Sequence, residues 1–335
     1  MKFIESFHKF NQILFLLSLT LYKYDYKTKK YQCRNKYLFY GVIYSTLQLS
    51  ACFAIMWHLE LHYYVLERVS VLVFTEILRI SALILSSQAI ITFEFVNRLN
   101  QTKLFNAFNR FDSKLYNKLA HTLNCKRIHF IFMSELLVWS VYFFFFVTLI
   151  ETQIGFPDWN ICVLFWIITY AFFANNIGVT YFFILFSKRH IDFRFRLLVQ
   201  ELKRIVKEYQ VTTENVTRKC KLMEELSSVY DLFGDLEKFK RLFKASFGAL
   251  LSYLILNDMF EVTGNLFWLI HAYTHGDACL LFKFDSFLLD FLTSKSATWL
   301  RLFYFVFNVT QNNEKEVRKL LKFIFVFILN VFFLG

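Results

Sequence analysis

Six long apolar stretches, separated by short polar or strongly basic segments, constrain this chain more than any other feature. They run roughly over 37–57, 70–93, 128–150, 161–187, 243–271 and 286–308, each long enough as a helix to reach across most or all of a hydrocarbon core of about 30 Å. The sixth is the least uniform, because Asp290, Lys295 and Arg301 fall within it and only its second half reads as an ordinary span. A chain of 335 residues that is 56% hydrophobic and 21% aromatic has too little polar surface for a soluble globule. Forty-five Phe against one Pro and eight Gly favour helices, since a spanning barrel needs short alternating strands with turn residues between them. The expected fold is all-α, a polytopic membrane helical bundle.

A formal charge of +12 points to nucleic acid in a soluble protein, but here its placement matters more than its size. The N-terminal segment before residue 37 holds eight Lys and Arg, the loop 94–127 seven and the loop 188–242 thirteen. The alternate loops 58–69, 151–160 and 272–285 hold one, none and one. The positive-inside bias therefore predicts a cytoplasmic N-terminus and cytoplasmic basic loops facing anionic lipid, with no nucleic-acid role. The glycosylation patterns at Asn100, Asn215 and Asn308 then fall on the cytoplasmic side or at an inner membrane edge and are expected to stay unmodified.

Five regions follow: 1–36, a cytoplasmic N-terminal segment; 37–187, spans one to four; 188–242, cytoplasmic amphipathic helices; 243–308, spans five and six; and 309–335, a loop remnant with an apolar tail. Within the first, "NQILFLLSLTLY" has the outline of a signal peptide without a small-residue cleavage site, so an uncleaved interfacial helix is expected. In the third, Phe195, Leu198, Leu202, Ile205 and Tyr209, then Leu222, Leu226, Val229, Phe233, Leu236 and Phe243, alternate three- and four-residue spacing. Two helices continuing the fourth and fifth spans are predicted, packing on each other or on neighbouring subunits.

Ionisable residues inside spans are costly and mark candidate sites. Glu76 and Arg79 lie one turn apart in the second span, and Asp258 and Glu261 one turn apart in the fifth. They fit either a solvated ligand or ion path or a structural salt bridge. Glu135 lies in the inner half of the third span, from where it can snorkel. Trp139, Tyr142, Trp166, Tyr170 and Trp268 fit either a small-molecule pocket or an interfacial aromatic belt.

The pairs His58/His62 and His271/His275 place two rings on one helical face, as a metal site or a histidine-box oxidoreductase requires. No HExxH, HxxHH or nucleophile elbow accompanies them. Interfacial histidines are the plainer reading, and no metal, cofactor or catalytic residue is expected. The six cysteines show no CxxC or zinc spacing, and only Cys162 and Cys279 fall near the outer surface.

Three stretches resemble the insect gustatory receptor family of seven-span chemoreceptors. "LYKYDYKTKKYQCRNKYLFYGVIYS" is similar to its short N-terminal helix, Tyr-Asp and basic segment leading into the first span. "FKRLFKASFGALLSYLILNDMF" resembles its approach to the fifth span, with Phe247-Gly248 at the typical place. "WLRLFYFVFNVTQNNEKEVRKLL" resembles the end of the sixth, with Asn313-Glu314 and Leu320-Leu321 in register. The resemblance covers about residues 10–321.

The resemblance implies a gustatory chemoreceptor subunit of the plasma membrane, a ligand-gated, non-selective cation channel opened by small tastants. It implies assembly as a homo- or hetero-tetramer, through an anchor built from cytoplasmic extensions of the later spans. It also implies a ligand pocket in the outer part of the second to sixth spans, for which Glu76, Arg79, Trp166, Tyr170, Asp258, Glu261 and Trp268 are the candidates. The sequence departs from the family at its end, where the Thr-Tyr, five apolar residues, Gln-Phe signature of the seventh span does not occur. The final "LLKFIFVFILNVFFLG", sixteen residues or about 24 Å of helix, is expected to be a buried or partly inserted stump in place of that span, so no pore residue can be named. A polytopic transporter built on the same intramembrane charges is the alternative function.

Overall fold

The computed structural model describes residues 3–64, 71–119, 129–138, 140–141, 161–212 and 216–275; the side chains of 54–80, 161–175 and 260–275 lie outside the description. The elements are α1 (Phe3–Leu16), β1 (Lys23–Asp25), β2 (Lys30–Gln32), α2 (Asn35–Tyr64), α3 (Val71–Leu119), α4 (129–138), α5 (Ile161–Val211) and α6 (Val216–His275). The described fold is thus all-α apart from one hairpin.

α3, α5 and α6 are 49, 51 and 60 residues long, about 75 to 90 Å at 1.5 Å per residue. Each is more than twice as long as a hydrocarbon core is thick, so each carries a long extension beyond any span. Residues 94–119, read above as part of a basic loop, continue α3. The reason is a buried stripe of Leu104, Phe105, Phe108, Phe111 and Leu115 that keeps helical spacing through the basic segment. α3 packs along both α5 and α6.

Within 188–242, the end of α5 and the start of α6 pack on each other within one chain. Leu202, Ile205 and Val206 of α5 meet Leu222 and Val229 of α6, flanked by Tyr209, Leu226 and Phe233. Ion pairs frame this apolar seam. Lys114 and Lys118 of α3 reach Asp235 and Asp231 of α6 at 2.7 and 2.8 Å, and Arg204 bridges Glu201, Glu208 and Glu225.

α1 turns Phe7, Phe10 and Leu14 into the protein, while Ile13 and Leu16 stay exposed. Phe7 stacks on Phe105 of α3 at 4.8 Å and on Phe186 of α5 at 5.5 Å; Phe10 meets Phe132 of α4 edge-on at 4.6 Å. The helix ends in a Schellman-type cap. Leu19 N–H donates to Leu14 O, Ser18 N–H to Phe15 O, and Ser18 takes a φ of 53°. The hairpin pairs Tyr24 with Tyr31, and its turn is held by the Asp25 carboxylate, which accepts from Lys27 N–H and the Thr28 hydroxyl.

Among the described residues, no helix is long and apolar enough to cross a membrane. The expected span 286–308 and the tail lie outside the described residues, as does much of the expected span 128–150; the expected spans 161–187 and 243–271 are described as helix, without the side chains of 161–175 and 260–271.

Candidate functional site

Where α2, α3, α5 and α6 converge, uncharged polar side chains interrupt the apolar packing. Gln48 Oε1 of α2 accepts from Ser87 Oγ and Gln88 Nε2 of α3, both at 3.3 Å, and Ser45 Oγ donates to Gln88 Oε1 at 2.6 Å. On the other side of α3, Ser86 Oγ stands 2.6 Å from Asn257 Oδ1 of α6 and 2.7 Å from Ala82 O. One hydroxyl proton serves only one of these acceptors, so an Asn257 amide turned to present Nδ2 satisfies both contacts. α5 adds Asn176, in reach of the Tyr44 hydroxyl, and Thr180, whose hydroxyl donates to Asn176 O at 2.8 Å.

Gln48, Ser86, Ser87, Asn176, Thr180 and Asp258 are all buried. Polar groups removed from water must find partners, and neutral amides and hydroxyls do so at lower cost than ions. This cluster ties α2, α3 and α6 together through hydrogen bonds between neutral groups and brings Asn176 of α5 within reach of Tyr44 of α2.

Of the sequence-predicted residues, Asp258 is fully buried on α6 and follows Asn257 of this cluster in sequence. Glu76 and Arg79 lie on α3, Trp166 and Tyr170 on α5, and Glu261 and Trp268 on α6, with their side chains outside the described residues. α3 and α5 run toward the basic end of the bundle and α6 runs away from it. In axial order all six therefore lie beyond the polar cluster, on the side remote from the basic end, about one to three turns from it. His58, His62, His271 and His275 also lie outside the described side chains, and among the described residues no group of His, Cys, Asp and Glu is arranged to hold a metal.

A second polar centre sits at the basic end and was not anticipated from the sequence. Arg194 of α5, fully buried, forks onto Asp112 of α3, with Nε to Oδ1 and an Nη to Oδ2 both at 2.9 Å. Its other Nη donates to His190 O at 2.9 Å, and the guanidinium lies 4.6 Å from the Phe108 ring centre. Burial, then the charge of Arg194 and the neighbouring His129, hold the His190 imidazole well below its ordinary value, so it is neutral. Burial also pushes the Asp112 carboxyl up against the pull of Arg194. Close by, Arg189 grips Glu135 of α4 through two bonds of 2.5 and 3.0 Å. The one sequence signal for this centre is the apolar stripe of α3, which places Asp112 beside Phe108 and Phe111.

No curated protein and no solved structure matches the chain. The family model described as 7tm Chemosensory receptor matches residues 10–330, running past Leu321 into the apolar tail. That order of long helices, a hydrogen-bonded polar cluster among them and an ion-paired basic end thus sits in a chain matched almost throughout. The chain belongs to the 7tm chemosensory receptor family, a family of membrane receptors for small molecules that is in general not enzymatic.

Proposed function

We propose that this chain is a gustatory receptor subunit, a ligand-gated, non-selective cation channel of the plasma membrane that opens on small tastants. The observation that carries the reading is the continuity of α3, α5 and α6. Each runs without a break from the polar cluster to the ion-paired basic end, so a ligand that rearranges hydrogen bonds at one level moves rigid helices at the other. In this reading Glu76, Arg79, Trp166, Tyr170, Glu261 and Trp268 line the ligand site with Asp258. The basic end of the bundle, 94–119 of α3, 188–211 of α5 and 216–242 of α6, is the cytoplasmic anchor on which four subunits, of this chain or related ones, assemble.

Expression in cells with current recording across a panel of small tastants, alone and with related subunits, tests it. An agonist-evoked cation current that Asp258→Asn shifts to at least tenfold higher agonist concentration supports the reading. Surface-expressed protein that binds no tastant and passes no current under any pairing would sink it.

A further inference from the structure

The segment joining α1 to α2 lies lengthwise on α3. Cys33 Sγ meets Thr102 Oγ1 at 3.1 Å, Tyr31 N–H donates to Asn106 Oδ1 at 2.8 Å, and the Asn106 amide donates back to Tyr31 O at 3.0 Å. Leu21 is pressed against Gly41, where a Cβ would stand 2.8 Å from its side chain and 3.1 Å from the Phe95 ring. Under this segment lies Glu94 of α3, 2% exposed, close enough to Tyr22 and Cys33 for its charge to act on both.

The Gln101 amide, fully buried two turns along, approaches Glu94 Oε1 to 2.5 Å. Among the described residues, Glu94 Oε2 and Gln101 Oε1 find no donor. Bonds of the N–H···O type run about 2.7–3.2 Å, whereas about 2.5 Å is ordinary for O–H···O. The two ends of a Gln amide are interchangeable in shape, so the short contact fits a carboxylic O–H on Glu94 donating to the Gln101 carbonyl. An anion here would be a buried charge without a counterion. Arg98, one turn on, donates to Phe95 O instead. The other titratable groups facing this stretch are Tyr22, Cys33 and, from α6 across Phe93, Tyr253; α2 faces it with Gly41.

We propose that docking of the α1–hairpin unit onto α3 takes up one proton at Glu94, making the unit a latch released by alkalinisation of the compartment bathing the basic end. Naming that compartment as the cytosol rests on the orientation in the proposed function; the latch itself does not. The proton comes from solvent when the segment closes over Glu94 and returns to it when the segment lifts. Burial pushes the docked carboxyl up to about 8, whereas an undocked, hydrated Glu titrates near 4.3. Between those values only the docked state holds the proton, so docking weakens about tenfold per unit of rising pH. It is tightest below the undocked value and fully weakened above the docked one.

The test uses the full chain in lipid nanodiscs without ligand, so its outcome is independent of channel activity. Fluorescent amino acids at the exposed Lys29 and Lys103 report docking by energy transfer, and infrared spectroscopy reports protonated carboxyl groups. The expected result is a carboxylic-acid band in the wild type that disappears as pH rises through about 8 and is missing in Glu94→Gln. Energy transfer falls over the same range in the wild type and stays constant in Glu94→Gln, which is neutral at every pH. Wild-type and Glu94→Gln spectra with the same carboxylic-acid bands, or undocking along the same pH curve in both, overturns the proposal.

Discussion

The convergence of the four helices and the basic end hold the same long helices together with opposite chemistries. At the first, Ser45, Gln48, Ser86, Ser87, Gln88 and Asn257 make neutral hydrogen bonds, two at 2.6 Å and two at 3.3 Å. At the second, Arg194, Arg189 and Arg204 each engage carboxylates through two or more bonds. Neutral groups exchange partners at little cost, whereas a forked ion pair, once buried, has no cheap alternative. The difference separates a region suited to rearrangement from one suited to holding helices in register.

Substitutions graded by expected effect can break that comparison. Arg194→Ala leaves Asp112 buried without its cation and should cost about 3–5 kcal/mol. Thermal unfolding of the purified protein checks it, and a loss below about 1 kcal/mol would show that the basic end is not held by this pair. Next comes pH. His190 is neutral when folded and protonates near 6.5 when unfolded, so its folded value is depressed. Stability is then lost as pH falls below about 6.5, by up to about 1.4 kcal/mol per unit. His190→Gln should flatten that acid slope; equal slopes in both proteins would remove His190 as its source.

At the polar cluster, Asn257→Ala deletes one interhelical contact and should cost about 0.6 kcal/mol, the typical value for hydrogen bonds between membrane helices. A loss as large as that of Arg194→Ala would erase the contrast between the regions. Smallest is Lys118→Ala, which removes an exposed pair with Asp231 and should change stability by at most about 0.5 kcal/mol. Raising salt should remove even that difference, because exposed pairs are screened.

Much of the basic end was legible in the chain itself. The alternating apolar positions of 188–242 specify two amphipathic helices, and Leu198, Ile205, Leu222 and Val229 are buried as that periodicity requires. The same rule applied to 94–119 finds Leu104, Phe108, Phe111 and Leu115, but the density of Lys and Arg there reads as a loop. The helix wins because its cations point outward while the stripe packs on α5 and α6. The hairpin escaped notice because its strands are three residues each and its turn depends on Asp25 and a positive φ at Lys29.

By itself the sequence determined the all-α class, the extension of two helices beyond one span and the segregation of positive charge, which follow from composition and from periodicity acting over neighbouring residues, whereas the family follows from the likeness of whole stretches of chain. Only the tertiary structure decided that Arg194 answers Asp112 across 82 positions, that Ser86 meets Asn257 across 171, and that Glu94 is closed over by the segment after α1. Such pairings depend on which faces meet when long helices pack, and a buried charge or amide takes whatever partner that packing brings within about 3 Å.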